Sequence, residues 1–180
     1  MTFVAGSSWQ PDEDLFIEYF NQHPEVKLII APHVIDENHL VEIIRKLKRP
    51  YVRYTRANEK NVRKADCLII DCFGLLSSIY RYGEIAYIGG GFGVGIHNTL
   101  EAAVYGIPVI FGPKYQKFQE AIQLLETKGA FSVKDYEELK TLLDRMLTDE
   151  VFLRESGMNA SNYVTSNAGA TDKIMSMINF

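Results

Sequence analysis

Short apolar runs alternate with longer amphipathic stretches along most of the chain. Phe3-Val4-Ala5, Lys27-Leu28-Ile29-Ile30, Tyr51-Val52-Arg53-Tyr54, Leu68-Ile69-Ile70, Ile85-Ala86-Tyr87-Ile88 and Val109-Ile110-Phe111 read as strands. Helical periodicity fills residues 12–22, 37–48, 74–82, 97–105 and 115–127 between them. Runs that are apolar at successive positions suit strands buried on both faces, as in a parallel sheet. The alternation therefore predicts an α/β fold: a doubly wound, mainly parallel Rossmann-like sheet with helices on both faces. Gly106 and then Pro108 mark a helix end and the start of the next strand. After a short Phe131-Ser132-Val133 strand the remainder reads as helices. Residues 1–180 carry no repeat, low-complexity tract or linker and are expected to form a single domain. The first strand begins almost at residue 1, as it can in a natural enzyme or in a domain excised at its boundary.

In such a sheet, ligands bind beyond the carboxyl ends of the strands. The residues that follow the strands are Gly6-Ser7-Ser8, Ala31-Pro32-His33, Asp71-Cys72-Phe73-Gly74, the run from Gly89 to Asn98, and Gly112-Pro113. All five groups fall on one edge, where small, polar and glycine residues suit a phosphate-bearing ligand. Gly89, Gly90, Gly91, Gly93 and Gly95 lie between a strand and a helix, which removes side chains where the backbone must approach something closely. A following helix would turn unpaired N–H groups and the positive end of its dipole toward a phosphate. The spacing is neither a dinucleotide fingerprint nor a P-loop.

Several of these residues have a structural reading beside the functional one. Asn98 and Glu101 fit a capping box, or a phosphate contact beside a carboxylate that accepts ribose hydroxyls. His97 can donate to the same phosphate or cover the helix end. His33 reads first as a structural hydrogen-bonding residue, Asp71 as the N-cap of the next helix, and Ser7 and Ser8 equally as an ordinary turn or as ligand contacts. Asp12-Glu13-Asp14 reads as an acidic cluster complementing a helix N-terminus. Phe73-Gly74 would stack a base and admit a phosphate, or pack the turn.

Charge and composition narrow the classes. The net charge of −4 does not advertise nucleic-acid binding. Nine of the 19 basic residues nevertheless fall between Arg45 and Lys64, which reads either as a solvated face or as a patch for a nucleotide or an anionic membrane. No apolar run approaches the roughly eighteen residues of a membrane span, and residues 1–5 lack the basic start of a signal peptide. Cys67 and Cys72 match no metal or redox spacing and fit a reducing cytoplasm.

Ile88-Gly89-Gly90-Gly91, Gly95-Ile96-His97-Asn98-Thr99-Leu100-Glu101 and Gly106-Ile107-Pro108-Val109-Ile110-Phe111-Gly112-Pro113 together resemble the central motifs of Kdo (3-deoxy-D-manno-octulosonate) transferases. Gly6-Ser7-Ser8 is similar to that family's Gly-Ser-Thr turn, Asp71-Cys72-Phe73-Gly74-Leu75 to its Asp-Thr-Met-Gly-Glu stretch, and Asn167-Ala168-Gly169-Ala170 to its closing Asn-x-Gly-Ala. The resemblance implies the C-terminal half of a two-domain GT-B glycosyltransferase. This half would bind the donor CMP-Kdo, or CMP, without a metal cofactor. An N-terminal domain, absent here, would carry the catalytic base and bind the lipid A precursor, so this chain by itself would be inactive. It further implies a role in lipopolysaccharide biosynthesis at the cytoplasmic face of the bacterial inner membrane. The implied donor contacts are Ser7, Ser8, His33, Phe73, Gly74, Gly90, Gly91, Gly95, His97, Asn98 and Glu101. The chain departs from the pattern at Ala31-Pro32-His33, where Pro-Arg-His is usual and the arginine contact is therefore missing, at Gly91 in place of serine, and at Ala102 in place of proline. The competing readings are the donor half of a UDP-sugar transferase or 2-epimerase, and a non-enzymatic flavodoxin-like binding module.

Overall fold

The structure is a computed structural model, and it describes residues 1–169; Ala170 of the closing motif lies outside the described residues. Seven strands pair in the order β3-β4-β2-β1-β5-β6-β7, and every pairing is parallel. They are β1 (Thr2–Ser8), β2 (Lys27–Pro32), β3 (Tyr51–Arg53), β4 (Cys67–Ile69), β5 (Ile85–Ile88), β6 (Val109–Phe111) and β7 (Ala130–Ser132). Successive side chains leave a strand on opposite faces, so each strand feeds two cores. Phe3 and Ala5 pack on one face with Phe16, Phe20, Leu40, Ile43, Leu139 and Leu143. Val4 packs on the other with Ile79, Tyr80, Ala102, Ala103, Leu124 and Ala160.

The helices are α1 (Gln10–Gln22), α2 (Glu37–Lys46), α3 (Glu59–Val62), α4 (Leu76–Ile79), α5 (Leu100–Ala103), α6 (Gln119–Glu126), α7 (Tyr136–Thr148) and α8 (Glu150–Asn167). The doubly wound parallel architecture agrees with the sequence pattern, while three of the helices are clearly shorter than their apolar periodicity, the stretch 115–127 being helical only over Gln119–Glu126. The stretch 74–82 divides into α4 and a 3-10 turn over Tyr80–Tyr82. The stretch 97–105 forms only the four-residue α5, because Gly95 (φ 115°) and Gly106 (φ 70°) take left-handed conformations at its two flanks. Such conformations cost L-residues but not glycine.

The strand order places the functional edge. From β1 the chain moves outward through β2 on one side, whereas β5 continues on the other. The loops after β1 and β5 therefore diverge and open a crevice, the topological switch point where ligands sit in this class of sheet. Three of the nine basic residues between Arg45 and Lys64 are engaged in structure. Arg49 donates to the carbonyls of Phe20, His23, Pro24 and Val26, Arg53 pairs with Glu37 and Asp71, and Lys46 pairs with Asp14.

Candidate functional site at the β1–β5 crevice

Strand β1 carries an irregularity where it matters. Its register with β2 slips between Gly6 and Ser8, and Ser7 between them has φ 51°. A bulge of this kind re-aims a side chain at the end of a strand. Ser7 thereby lines a cleft of about 260 Å³ together with Pro32, His33, Ile70, Phe73 and Gly74. Ser8 faces the opposite way: it is fully buried and its hydroxyl donates to Glu13 Oε1 at 2.9 Å. Ser8 therefore supports the cleft from beneath rather than lining it. Gly6 closes the floor, since a Cβ there would stand 1.8 Å from the Tyr80 hydroxyl.

The acidic cluster at the start of α1 complements the helix N-terminus, with Asp12 accepting from the N-cap amide, and two of its members also reach into the core. Asp12 and Glu13 are both fully buried. Asp12 Oδ2 accepts from the amides of Trp9 and Gly90, each at 2.9 Å, and Oδ1 accepts from the Tyr87 hydroxyl at 3.0 Å. Burial pushes the Asp12 carboxyl above its ordinary range, and these three donors oppose the shift. One carboxylate thus ties the loop after β1 to the loop after β5. Glu13, also pushed upward by burial, is held by Ser8 and by His39 Nε2 at 2.9 Å.

The glycine-rich loop is shaped by its own packing. A Cβ at Gly89 would lie 2.2 Å from the Ser7 carbonyl oxygen, and one at Gly91 would lie 2.6 Å from Gly112 Cα. Gly90 (φ 94°) accepts on its carbonyl from the amides of Gly93 and Gly95, both at 3.0 Å. Gly90 and Gly91 are buried, so they form the base of the loop. Gly93 alone has open space around it, the nearest atom to a Cβ being 3.9 Å away. Lys114, which the sequence patterns did not single out, donates to the Gly93 carbonyl at 2.9 Å.

Of the two readings of Asn98 and Glu101, the capping box does not form. Asn98 Oδ1 accepts from the Leu100 amide at 3.0 Å, while its Nδ2 donates to Glu101 Oε1 at 3.2 Å, so Glu101 meets a side chain and not a backbone N–H. A four-residue helix also has little macrodipole, which removes the dipole argument for a phosphate seat. Asp71 is not an N-cap either: it accepts from the Thr55 amide (2.9 Å), the Thr55 hydroxyl (2.6 Å) and Arg53 Nε (2.8 Å), anchoring the segment after β3. Thr99 is fully buried, and its hydroxyl has no hydrogen-bond partner among the described residues.

Three rings bridge the crevice. Trp9, after β1, stacks on His33, after β2, with centroids 4.5 Å apart, and His33 meets His97, from the loop after β5, at 4.6 Å. Trp9 Nε1 donates to His97 Nε2 at 3.4 Å. His97 titrates below its ordinary value, first because burial disfavours its charged form and then because His33 lies beside it. Phe73 and Val94 stand 82% and 83% exposed on the same edge of the sheet. Among the described residues, no cluster of His, Cys, Asp or Glu could hold a metal ion, and no helix is long and apolar enough to cross a membrane.

The geometry has counterparts among known proteins. The 3-deoxy-D-manno-octulosonic acid transferase of Aquifex aeolicus is 34% identical over 151 residues, which cover 81% of this chain and 41% of that protein. By sequence, the chain is a relative of the Kdo transferases. A bifunctional glycosyltransferase/methyltransferase of Fusobacterium nucleatum subsp. nucleatum is 30% identical over 173 residues, 90% of this chain and 27% of that protein. The chain thus spans less than half the length of these curated relatives. Among solved structures, the C-terminal CMP-Kdo binding domain of WaaA from Acinetobacter baumannii superposes with a TM-score of 0.77 at 20% identity, covering 91% of this chain and 89% of that one. Its fold is the same: the C-terminal domain of a GT-B glycosyltransferase. No protein-family model matches the chain.

Within this Kdo transferase relative, the implied donor contacts fall into three groups. Ser7, His33, Phe73 and Gly74 meet in the cleft, with His97 joined to them through His33. Asn98 and Glu101 pair with each other beside the loop, and Gly95 lines a second hollow of about 290 Å³ with Lys114 and Phe118. Ser8, Gly90 and Gly91 lie beneath. Of the residues that organise the crevice, Trp9 was not singled out by the sequence patterns, and Asp12 was read only as part of the acidic cluster at a helix N-terminus. The available signal was that the chain's one tryptophan directly follows the Gly-Ser-Ser turn.

Proposed function

We propose that this chain is the donor-binding half of a Kdo transferase, with CMP-Kdo held along the β1–β5 crevice. The carrying observation is the cleft at the topological switch point, lined by Ser7, His33, Phe73 and Gly74 in a chain related to Kdo transferases. In this reading Phe73 stacks the cytosine, Ser7 and His97 donate to the phosphate, and Glu101 accepts the ribose hydroxyls. The Asn98 side chain completes the phosphate seat, while Gly95, whose amide is held by the Gly90 carbonyl, shapes the loop beside it. A volume of about 260 Å³ is below the range of roughly 300–1,000 Å³ common for small-molecule sites, which suits one wall of a two-domain cleft. The facing wall would be a second domain that carries the catalytic base and binds the lipid A precursor, in an enzyme working at the cytoplasmic face of the inner membrane. The phosphate would be neutralised by N–H donors without a resident metal.

Calorimetric titration of the chain with CMP, UMP and UDP tests the reading. CMP is expected to bind most tightly, with affinity that survives excess EDTA. Preference for UMP or UDP would move the chain to a UDP-sugar enzyme, and loss of binding on chelation would remove the metal-free seat. With CMP-Kdo and a lipid A precursor the chain alone is expected to give no transfer. Turnover would overturn the placement of the base in another domain.

A further inference from the structure

Trp9 is the one large aromatic side chain in the crevice that touches two histidines, each from a different strand end. Its indole N–H can only donate, so the His97 Nε2 that receives it at 3.4 Å must be bare. A neutral imidazole with a bare Nε2 carries its proton on Nδ1. That nitrogen has no hydrogen-bond partner among the described residues, so its N–H is available to an acceptor outside the chain. The same tryptophan lies over His33 with centroids 4.5 Å apart and planes 25° from parallel, and His33 in turn lies 4.6 Å from the His97 ring. The position of Trp9 is itself fixed, because its amide donates to the buried Asp12 carboxylate that also holds Gly90.

We propose that Trp9 is a positioning residue that sets the tautomer and orientation of His97, so that His97 offers one preorganised Nδ1–H donor to the nucleotide phosphate. The proposal rests on the nucleotide-binding reading for its ligand, but its structural half stands without one. An unconstrained imidazole exchanges its proton between two nitrogens and rotates freely, and both freedoms are lost when a ligand binds. The indole removes them beforehand, and preorganisation of this kind lowers the cost of binding. Protonating His97 would aim its Nε2–H at the indole N–H, setting two donors against each other, which is consistent with a histidine that stays neutral at pH 7.

The test uses Trp9→Phe, which keeps an aromatic ring for His33 and removes the N–H donor together with the rest of the pyrrole ring. Long-range proton–nitrogen NMR on the nucleotide-free chain reads which imidazole nitrogen of His97 is bare. The wild type is expected to show a bare Nε2, and Trp9→Phe to shift toward the Nε2–H form with a raised His97 titration midpoint. CMP affinity is expected to fall roughly threefold to tenfold in the variant, the size of one lost neutral hydrogen bond. A wild-type His97 with Nε2 protonated, or an unchanged tautomer in Trp9→Phe, overturns the assignment. Should the wild type fail to bind CMP at all, the nucleotide reading falls, while the spectrum still decides the role of Trp9. A changed tautomer with unchanged CMP affinity overturns the link to the ligand. If Trp9→Phe does not fold, wild-type His97 still decides the tautomer, and Trp9→Tyr, which keeps a ring but places its hydroxyl elsewhere, takes its place in the titration.

Discussion

Ser7 holds a left-handed backbone conformation without being a glycine (φ 51°) and is nearly buried at the rim of the cleft. Strain of this sort persists where surroundings enforce it and gathers at binding sites. Ser7→Gly relieves it, so the variant is expected to gain up to about 1 kcal/mol in urea denaturation while binding CMP more weakly. A loss of stability would show that the serine side chain holds the bulge. Glu101 gives a second residue-scale test. Among the described residues its only side-chain hydrogen bond is the one it accepts from Asn98 Nδ2, which a glutamine oxygen can still accept. Glu101→Gln is therefore expected to keep its thermal transition and to lose about tenfold in CMP affinity, because a charged acceptor becomes a neutral one. Unchanged affinity in the folded variant would remove Glu101 from the ribose site.

The loop after β5 separates glycines needed by the fold from one the fold leaves free. Gly91 packs against Gly112 so closely that a Cβ would lie 2.6 Å from its Cα, whereas a Cβ at Gly93 meets nothing nearer than 3.9 Å. Backbone atoms cannot yield as a side-chain tip can, so Gly91→Ala is expected to cost several kcal/mol or to prevent folding. Gly93→Ala should fold and gain about 0.4–1 kcal/mol through reduced freedom of the unfolded chain. Equal thermal midpoints for the two variants would contradict the packing of β5 and β6 through these glycines. The same element explains why α5 is short: left-handed glycines on both flanks shape a connection that must cross from the crevice to the opposite face of the sheet.

Across the whole molecule, the crevice couples stability to pH through His97. Its folded-state titration lies below the ordinary value of 6.5, so between those two points the unfolded chain binds a proton that the folded chain refuses. The stability due to His97 is complete above about pH 6.5 and is lost as pH falls through the lowered folded value. Asp12 and Glu101 favour its protonation while burial and His33 oppose it, so the effect belongs to the assembled edge and not to one contact. Comparing thermal midpoints at pH 7.5 and 5.5, the wild type is expected to lose more than His97→Phe. Parallel losses would mean that His97 does not contribute to the acid sensitivity.

The sequence by itself determined the parallel sheet, the edge that carries the chemistry, and a relation to Kdo transferases, because these depend on local order. Strands buried on both faces must be apolar at successive positions, and Ile85-Ala86-Tyr87-Ile88 has that composition wherever the chain goes next. Gly106 marked the end of a helix because only its own φ was at issue. Tertiary structure alone decided what the polar residues at that edge do. Asp12 read as one member of an acidic cluster at the start of α1 and is also the buried link to Gly90, a residue 78 positions away. Asp71 fitted a local capping rule and found Thr55 and Arg53 instead, while Asn98 and Glu101 pair through their side chains and not through a capped backbone. Trp9 acquired its place only when β1 and β5 were laid side by side. Periodicity is written in neighbouring residues, whereas a hydrogen-bond partner is chosen by the strand order, and nothing in a local pattern states that order.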